Sequence, residues 1–223
     1  MTNAIINRSG TLQAPQLDYI LLDGSGSMKG KWWDTMAALR AFVDVLKSQN
    51  VNSHGILQTF DSFDLNLVQR DGTLDTWGDL SDIGAHWGST PLYDAIIHMG
   101  LELQKLAPAS GKCSIVIVTD GDENGSQTTL VQAKAVLDWC RAQGWQITFL
   151  GADFNNNEQA KMLGANDSNS IGVRRELLLE AGKSLGEKRG RHVRNSDDEI
   201  NFSADERKKF GGYLTDATNG SGK

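Results

Sequence analysis

The sequence contains no apolar run approaching the ~20 residues that a membrane-spanning helix needs, which argues against a membrane-embedded helical protein. Residues 1–16 lack the apolar centre of a secretory leader, so the cytoplasm is the expected compartment. Cysteine is scarce: Cys113 and Cys140 are too few for a disulfide framework, and both fall in apolar patterns where a reduced thiol packs as a small hydrophobe. The histidines His54, His86, His98 and His192 are scattered without a spacing such as His-Glu-x-x-His, and no zinc site is expected. A basic excess is also missing. The net charge is −6, and residues 1–171 hold 11 Lys/Arg against 19 Asp/Glu, which disfavours a general nucleic-acid surface. Residues 172–223 hold 11 against 9, leaving room for a local basic stretch.

What is present is an ordinary soluble composition, 39% hydrophobic and 22% charged, in a 223-residue chain that fits one α/β domain with an appendage. Strand and helix patterns alternate along it. Leu17 to Leu22 is an apolar strand. Trp32, Met36, Leu39, Phe42, Val43 and Leu46 recur at three and four residues and mark one helix face. Ile56, Leu57 and Phe60 give a second strand, and Phe63, Leu65 and Leu67 alternate with polar residues as a half-exposed antiparallel edge strand. Residues 71–89, rich in Gly, Asp and Trp, read as a long functional loop with at most one helical turn. Thr90-Pro91 opens a helix with apolar positions from Leu92 to Leu106. Cys113 to Thr119 reads as a central parallel strand buried on both faces. A helix over 127–142, a strand over 145–150, a short helix over 158–163 and a short strand over 170–173 follow. The expected fold is a doubly wound, mostly parallel central sheet with one antiparallel edge strand and helices on both faces. Ligands of such sheets bind outside the carboxyl ends of the strands.

Asp23-Gly24-Ser25-Gly26-Ser27 closes the first strand with a carboxylate and two hydroxyls separated by glycines, an oxygen-rich turn suited to a hard cation. Nucleotide-binding patterns fail on spacing. Counting from Gly24, the second glycine of a P-loop falls on Lys29; counting from Gly26, Gly30-Lys31 comes one residue early and Trp32 replaces the hydroxyl residue. The dinucleotide fingerprint also meets Lys29 where its third glycine belongs, and neither serine has the Gly-x-Ser-x-Gly flanks of a nucleophile elbow. Taken alone, Ser27 and Thr90 read as helix caps and Asp120-Gly121 as a turn. Together they lie at the carboxyl ends of strands on three separate loops.

Asp-x-Ser-x-Ser after a first strand, Gly-Ser-Thr-Pro-Leu before a helix and Thr-Asp-Gly after a central strand closely resemble the von Willebrand factor A domain with its metal-ion-dependent adhesion site. The resemblance covers residues 15–173. It implies a Mg²⁺ site, with Mn²⁺ or Ca²⁺ as substitutes, in which Ser25 and Ser27 bind directly, Thr90 binds when the site is engaged, and Asp23 and Asp120 act largely through water. It also implies a protein partner that supplies an Asp or Glu to the ion. Intracellular bacterial relatives work beside AAA+ ATPases or in stress-response clusters, and partners of those kinds are the expectation. Asp122 and Glu123 read as a solvated acidic rim. Of Trp32, Trp33 and Trp87, at least one belongs to the core, and an exposed one suits the rim of a partner site.

The expected organisation is an N-terminal arm at 1–14, the A domain at 15–187 and a basic, mixed-charge extension at 188–223. Lys188 to Arg194 reads as a solvated charge run, residues 200–214 as a docking segment through Phe202, Phe210, Tyr213 and Leu214, and Ser203 with Glu206 as a capping box. Residues 215–223 read as a frayed tail. The expected function is a non-enzymatic, metal-dependent adaptor with no membrane or nucleic-acid partner. The competing readings are a Mg²⁺-dependent hydrolase or phosphotransferase at the same loops and an RNA-associated scaffold using the basic stretch.

Overall fold

The computed structural model describes residues 5–6, 12–13, 16–106, 112–153, 157–195 and 199–211. Its elements are β1 (Ile5–Ile6), β2 (Leu12–Gln13), β3 (Gln16–Asp23), α1 (Trp32–Ser48), β4 (His54–Phe60), β5 (Leu67–Thr73), α2 (Leu92–Leu106), β6 (Lys112–Thr119), α3 (Leu130–Ala142), β7 (Gln146–Ala152), α4 (Asn157–Met162), β8 (Ser170–Val173), α5 (Leu178–Arg194) and α6 (Ala204–Gly211). β1 and β2 form a small antiparallel pair; the other six strands form one sheet in the order β5-β4-β3-β6-β7-β8. Within that sheet β5 runs antiparallel to β4 at one edge, and every other pairing is parallel.

The alternation of side chains along the strands divides the core into two layers. Ile20, Leu22, Val116 and Val118 face α1 and α5, while Tyr19, Leu21, Ile115 and Ile117 face α2 and α3. Both faces are covered, which is why β3 and β6 carry apolar side chains on both sides rather than a polar stripe. Among the described residues no helix is long and apolar enough to cross a membrane.

Two parallel registers set the level of the candidate site. Asp23 pairs with Phe60 of β4, and Leu22 pairs with Val118 of β6, so the carboxyl ends of the three central strands finish side by side. β5 begins later than the alternation from Phe63 suggested. Asp61 accepts the backbone N–H groups of Phe63 at 2.8 Å and Asp64 at 3.1 Å, curling 61–64 into a turn before pairing starts.

The C-terminal region packs against this sheet. Helix α5 runs unbroken through residue 187, and Lys188, Arg189 and His192 are buried. The basic run is therefore solvated only in part, at Arg191 and Arg194. Arg189 reaches the bottom of the sheet, where its Nε lies 2.7 Å from Asp18 Oδ1. Close approach of α5 to α1 depends on a glycine row: a Cβ on Gly182 would run into the Ala38 carbonyl, and one on Gly186 would sit 2.9 Å from the Phe42 carbonyl. Ile200, Phe202 and Phe210 then join the α1/α5 core. Phe202 N–H donates to the Ser168 carbonyl at 2.7 Å, Arg174 N–H donates to the Phe210 carbonyl at 2.9 Å, and the Ser203–Glu206 capping box opens α6. Of the segment 200–214 expected to dock, residues 200–211 do so. The side chains of the N-terminal arm, Tyr213, Leu214 and the 215–223 tail lie outside the described residues.

Candidate metal centre

Asp23, at the tip of β3, is wholly buried. Its Oδ1 accepts the Ser25 N–H at 2.8 Å and its Oδ2 accepts the Thr119 hydroxyl at 2.7 Å. Burial pushes this carboxyl up to about 6, against the hydrogen bonds from Thr119 and from the backbone and hydroxyl of Ser25; the neighbouring negative charge of Asp120 adds to the rise. A buried anion beside a second carboxylate calls for positive charge.

The hydroxyls come next. Ser25 Oγ and Ser27 Oγ lie 3.0 Å apart, and the Ser27 hydroxyl donates to Asp120 Oδ1 at 2.6 Å. Thr90 is buried beside them: a Cβ placed on Gly121 would be 3.6 Å from Ser27 Oγ and 3.9 Å from Thr90 Oγ1, so both hydroxyls face the same glycine. Four of the five residues named from the sequence are thus linked by direct hydrogen bonds, and the fifth borders the same glycine.

This donor set fits a small divalent ion. Adjacent oxygens around an octahedral ion with bonds of about 2.0–2.1 Å are about 2.9 Å apart, against about 3.4 Å for six-coordinate Ca²⁺. The two serine oxygens, hydrogen-bonded to each other at 3.0 Å, already stand at a spacing that the smaller ion accommodates. A hydroxyl that turns its lone pairs to a cation must send its proton elsewhere, and Ser27 sends its proton to Asp120. Among the described residues no three His, Cys, Asp or Glu gather into a metal-binding group, so a site here depends on its hydroxyls.

Comparison with known proteins separates fold from sequence. No family model matches the chain, and no curated protein matches it. Solved structures do. A von Willebrand factor type A protein from Catenulispora acidiphila superposes with a TM-score of 0.55 at 14% identity, covering 78% of this chain and 42% of that one. The vWF domain of the type V pili tip protein Mfa5 from Porphyromonas gingivalis gives a TM-score of 0.61 at 11% identity, covering 82% and 97%. The fold is that of a von Willebrand factor A domain. The open conformation of the pilus adhesin SpaC from Lactobacillus rhamnosus GG gives 0.61 at 12% identity, covering 80% of this chain and 30% of that one. The chain spans less than half the length of the first structures it matches.

Around the five residues, the A-domain loops are stitched together by groups that the motif search did not single out. Asp61, just past the end of β4, also accepts the His86 N–H at 2.9 Å and so ties the long loop to the β4–β5 turn. Trp87 N–H donates to the Gly24 carbonyl at 3.0 Å, and Gly26 N–H donates to the Gly88 carbonyl at 2.9 Å. Trp87 adopts φ +66°, a conformation unusual for a bulky residue, and its ring meets buried Trp32 edge-on at 5.1 Å between centroids. Trp33 is the exposed tryptophan of the three, at 62%.

On the other side, Asn124 holds Thr90 through a reciprocal pair: Thr90 N–H donates to Asn124 Oδ1 at 2.8 Å and Asn124 N–H donates to the Thr90 carbonyl at 3.1 Å. Glu123 departs from the solvated rim expected of it. Its carboxylate accepts the N–H groups of Tyr93 at 2.9 Å, Gly125 at 2.8 Å and Ser126 at 2.7 Å, together with the Ser126 hydroxyl at 2.7 Å. Its acceptor capacity goes to fixing the β6–α3 loop on α2, and Asp122 alone stays exposed. Lys31 was also missed. Its Nζ lies 2.5 Å from Asp120 Oδ2.

Proposed function

We propose that the chain is a metal-dependent protein-interaction module whose metal-ion-dependent adhesion site holds Mg²⁺, or Mn²⁺ in its place, through Ser25 and Ser27 directly, Thr90 on engagement, and Asp23 and Asp120 from behind. The observation that carries this reading is the 3.0 Å pair of serine oxygens backed by two buried carboxylates at the carboxyl edge of the sheet. When bound, the ion supplies a Lewis-acidic position for one oxygen of a partner's Asp or Glu.

The residues of this chain then divide the work. Ser25 and Ser27 present neutral oxygens, and Asp23 and Asp120 spend lone pairs on Ser25, Thr119 and Ser27. The carboxylates neutralise the ion less completely from that position than by direct contact. Asn124 fixes the Thr90 backbone where its hydroxyl can join. A pilus adhesin and a pilus tip protein among the structural neighbours support binding, rather than turnover, as the class of function. Within that class we place the chain as an intracellular adaptor, with an AAA+ ATPase or stress-response protein as partner.

Titration calorimetry with Mn²⁺ and Mg²⁺ tests the site. Binding that vanishes in Asp23→Ala and in Ser25→Ala/Ser27→Ala, with circular dichroism unchanged, supports it. Intact protein that takes up neither ion at millimolar concentration overturns it. Recovery of a partner from a lysate in Mg²⁺ but not in EDTA, lost on replacing one acidic residue of that partner, tests the adaptor role.

A further inference from the structure

We propose that Lys31 is a built-in counter-ion of the metal loops that weakens divalent binding and thereby makes firm metal occupancy depend on an acidic partner. The inference deepens the metal-site reading and rests on it. Lys31 stands between the 3₁₀ turn at Gly26–Gly30 and α1, held from both sides: its N–H donates to the Met28 carbonyl at 2.9 Å, and its carbonyl accepts the Thr35 N–H at 2.9 Å. From that anchored position its ammonium reaches Asp120 Oδ2 at 2.5 Å, on a carboxylate whose side chain is fully buried and whose other oxygen takes the Ser27 hydroxyl. Among the described residues Lys31 is the one cation paired with either Asp23 or Asp120.

The charges give the consequence. Two carboxylates and one ammonium leave the site at −1; a divalent ion takes it to +1, and a partner carboxylate returns it to neutrality. Without Lys31 the ion alone neutralises the two carboxylates, and an arriving anion has less to gain. Like charges sharing one buried carboxylate repel, so the ammonium opposes the ion, and the opposition is relieved when an anion binds. By linkage, an anion that favours the ion is favoured by it to the same extent.

The experiment compares wild type with Lys31→Met, Lys31→Gln and the charge-retaining Lys31→Arg, titrated with Mn²⁺ in sodium chloride and again in sodium acetate at equal ionic strength. Loss of the charge is expected to tighten Mn²⁺ binding by about tenfold and to shrink the gain that acetate gives, with Lys31→Arg close to wild type. In EDTA the neutral variants should melt earlier, since Asp120 loses its counter-ion, and Mn²⁺ should raise their melting temperature more than it raises that of wild type. A neutral variant that folds only when Mn²⁺ is added supports the same exchange. Unchanged or weaker Mn²⁺ affinity in both neutral variants overturns the proposal while leaving the metal site standing. Absence of Mn²⁺ binding in wild type overturns the metal site and this inference with it.

Discussion

Arg189 and Asp18, 171 positions apart, form an ion pair with side-chain exposures of 0% and 1%. The guanidinium also donates to the carbonyls of Leu17 at 3.3 Å and Lys112 at 3.2 Å, and Asp18 accepts the Ser53 hydroxyl at 2.5 Å. Removing one partner strands the other charge in the core. Arg189→Leu should cost roughly 3–5 kcal/mol of stability in urea denaturation, and a double Asp18→Leu/Arg189→Leu variant should cost less than the single one.

The glycine row of α5 makes a second stability prediction. Gly182→Ala forces a methyl into the Ala38 carbonyl and should destabilise by about 1–3 kcal/mol through separation of α5 from α1. Gly78→Ala, where nothing lies within 4 Å of the added carbon, should stay within about 0.5 kcal/mol. Equal effects at the two positions would contradict the packing.

Glu206 joins α6 to α5 through Ser184 at 3.0 Å and Lys188 at 2.8 Å. Burial opposes its ionisation, but hydrogen bonds from Lys188, the Ser203 N–H and Ser184 outweigh that and hold its carboxyl down at about 2, from an ordinary 4.5. Because the folded value is the lower one, this stabilisation is present above pH 4.5 and is lost as pH falls toward 2. Glu206→Gln should therefore melt earlier than wild type at pH 7, with the gap closing progressively below pH 4.5.

Asn124 has no metal-ligand chemistry in the proposed site, yet it holds both backbone groups of Thr90. Asn124→Ala leaves the Thr90 N–H without its acceptor, a loss of roughly 1–3 kcal/mol for a buried donor, measurable by thermal denaturation. Its Mn²⁺ affinity and metal-dependent partner capture should also fall, more so for capture if Thr90 joins only on engagement.

An adaptor has no turnover to lose. Phosphatase, nuclease and nucleotide-hydrolysis assays in Mg²⁺ should give the same background for wild type and Asp120→Ala. Metal-dependent turnover abolished by that substitution would replace the adaptor reading with the hydrolase one.

Much of this molecule is written locally in its sequence, and the part that is not has a physical reason. Strand alternation and helical periodicity gave the sheet and its antiparallel edge, since burial on two faces imposes a pattern each segment carries by itself. Asp23, Ser25, Ser27, Thr90 and Asp120 could be named as a candidate site because the three loops that carry them match short motifs of the A-domain family, and the fold brings the five together. Lys31, Asp61 and Asn124 had no such signature: each matters through a partner 25 or more positions away, a distance only the folded chain closes. The basic run at 188–194 misled for the same reason. Its helical pattern is diluted by charges, and the Asp18 that neutralises Arg189 lies in the first long strand.

The two thiols sit well inside the core, and burial pushes that of Cys140 up to about 12 and that of Cys113 higher still. Both should therefore ignore maleimide while the fold is intact. A dye carried on Phe63→Cys, at a side chain 75% exposed beside the metal loops, would then report from one address in an otherwise silent chain. Arrival of a partner on that face becomes something to be watched in real time, before anyone has to know what the partner is.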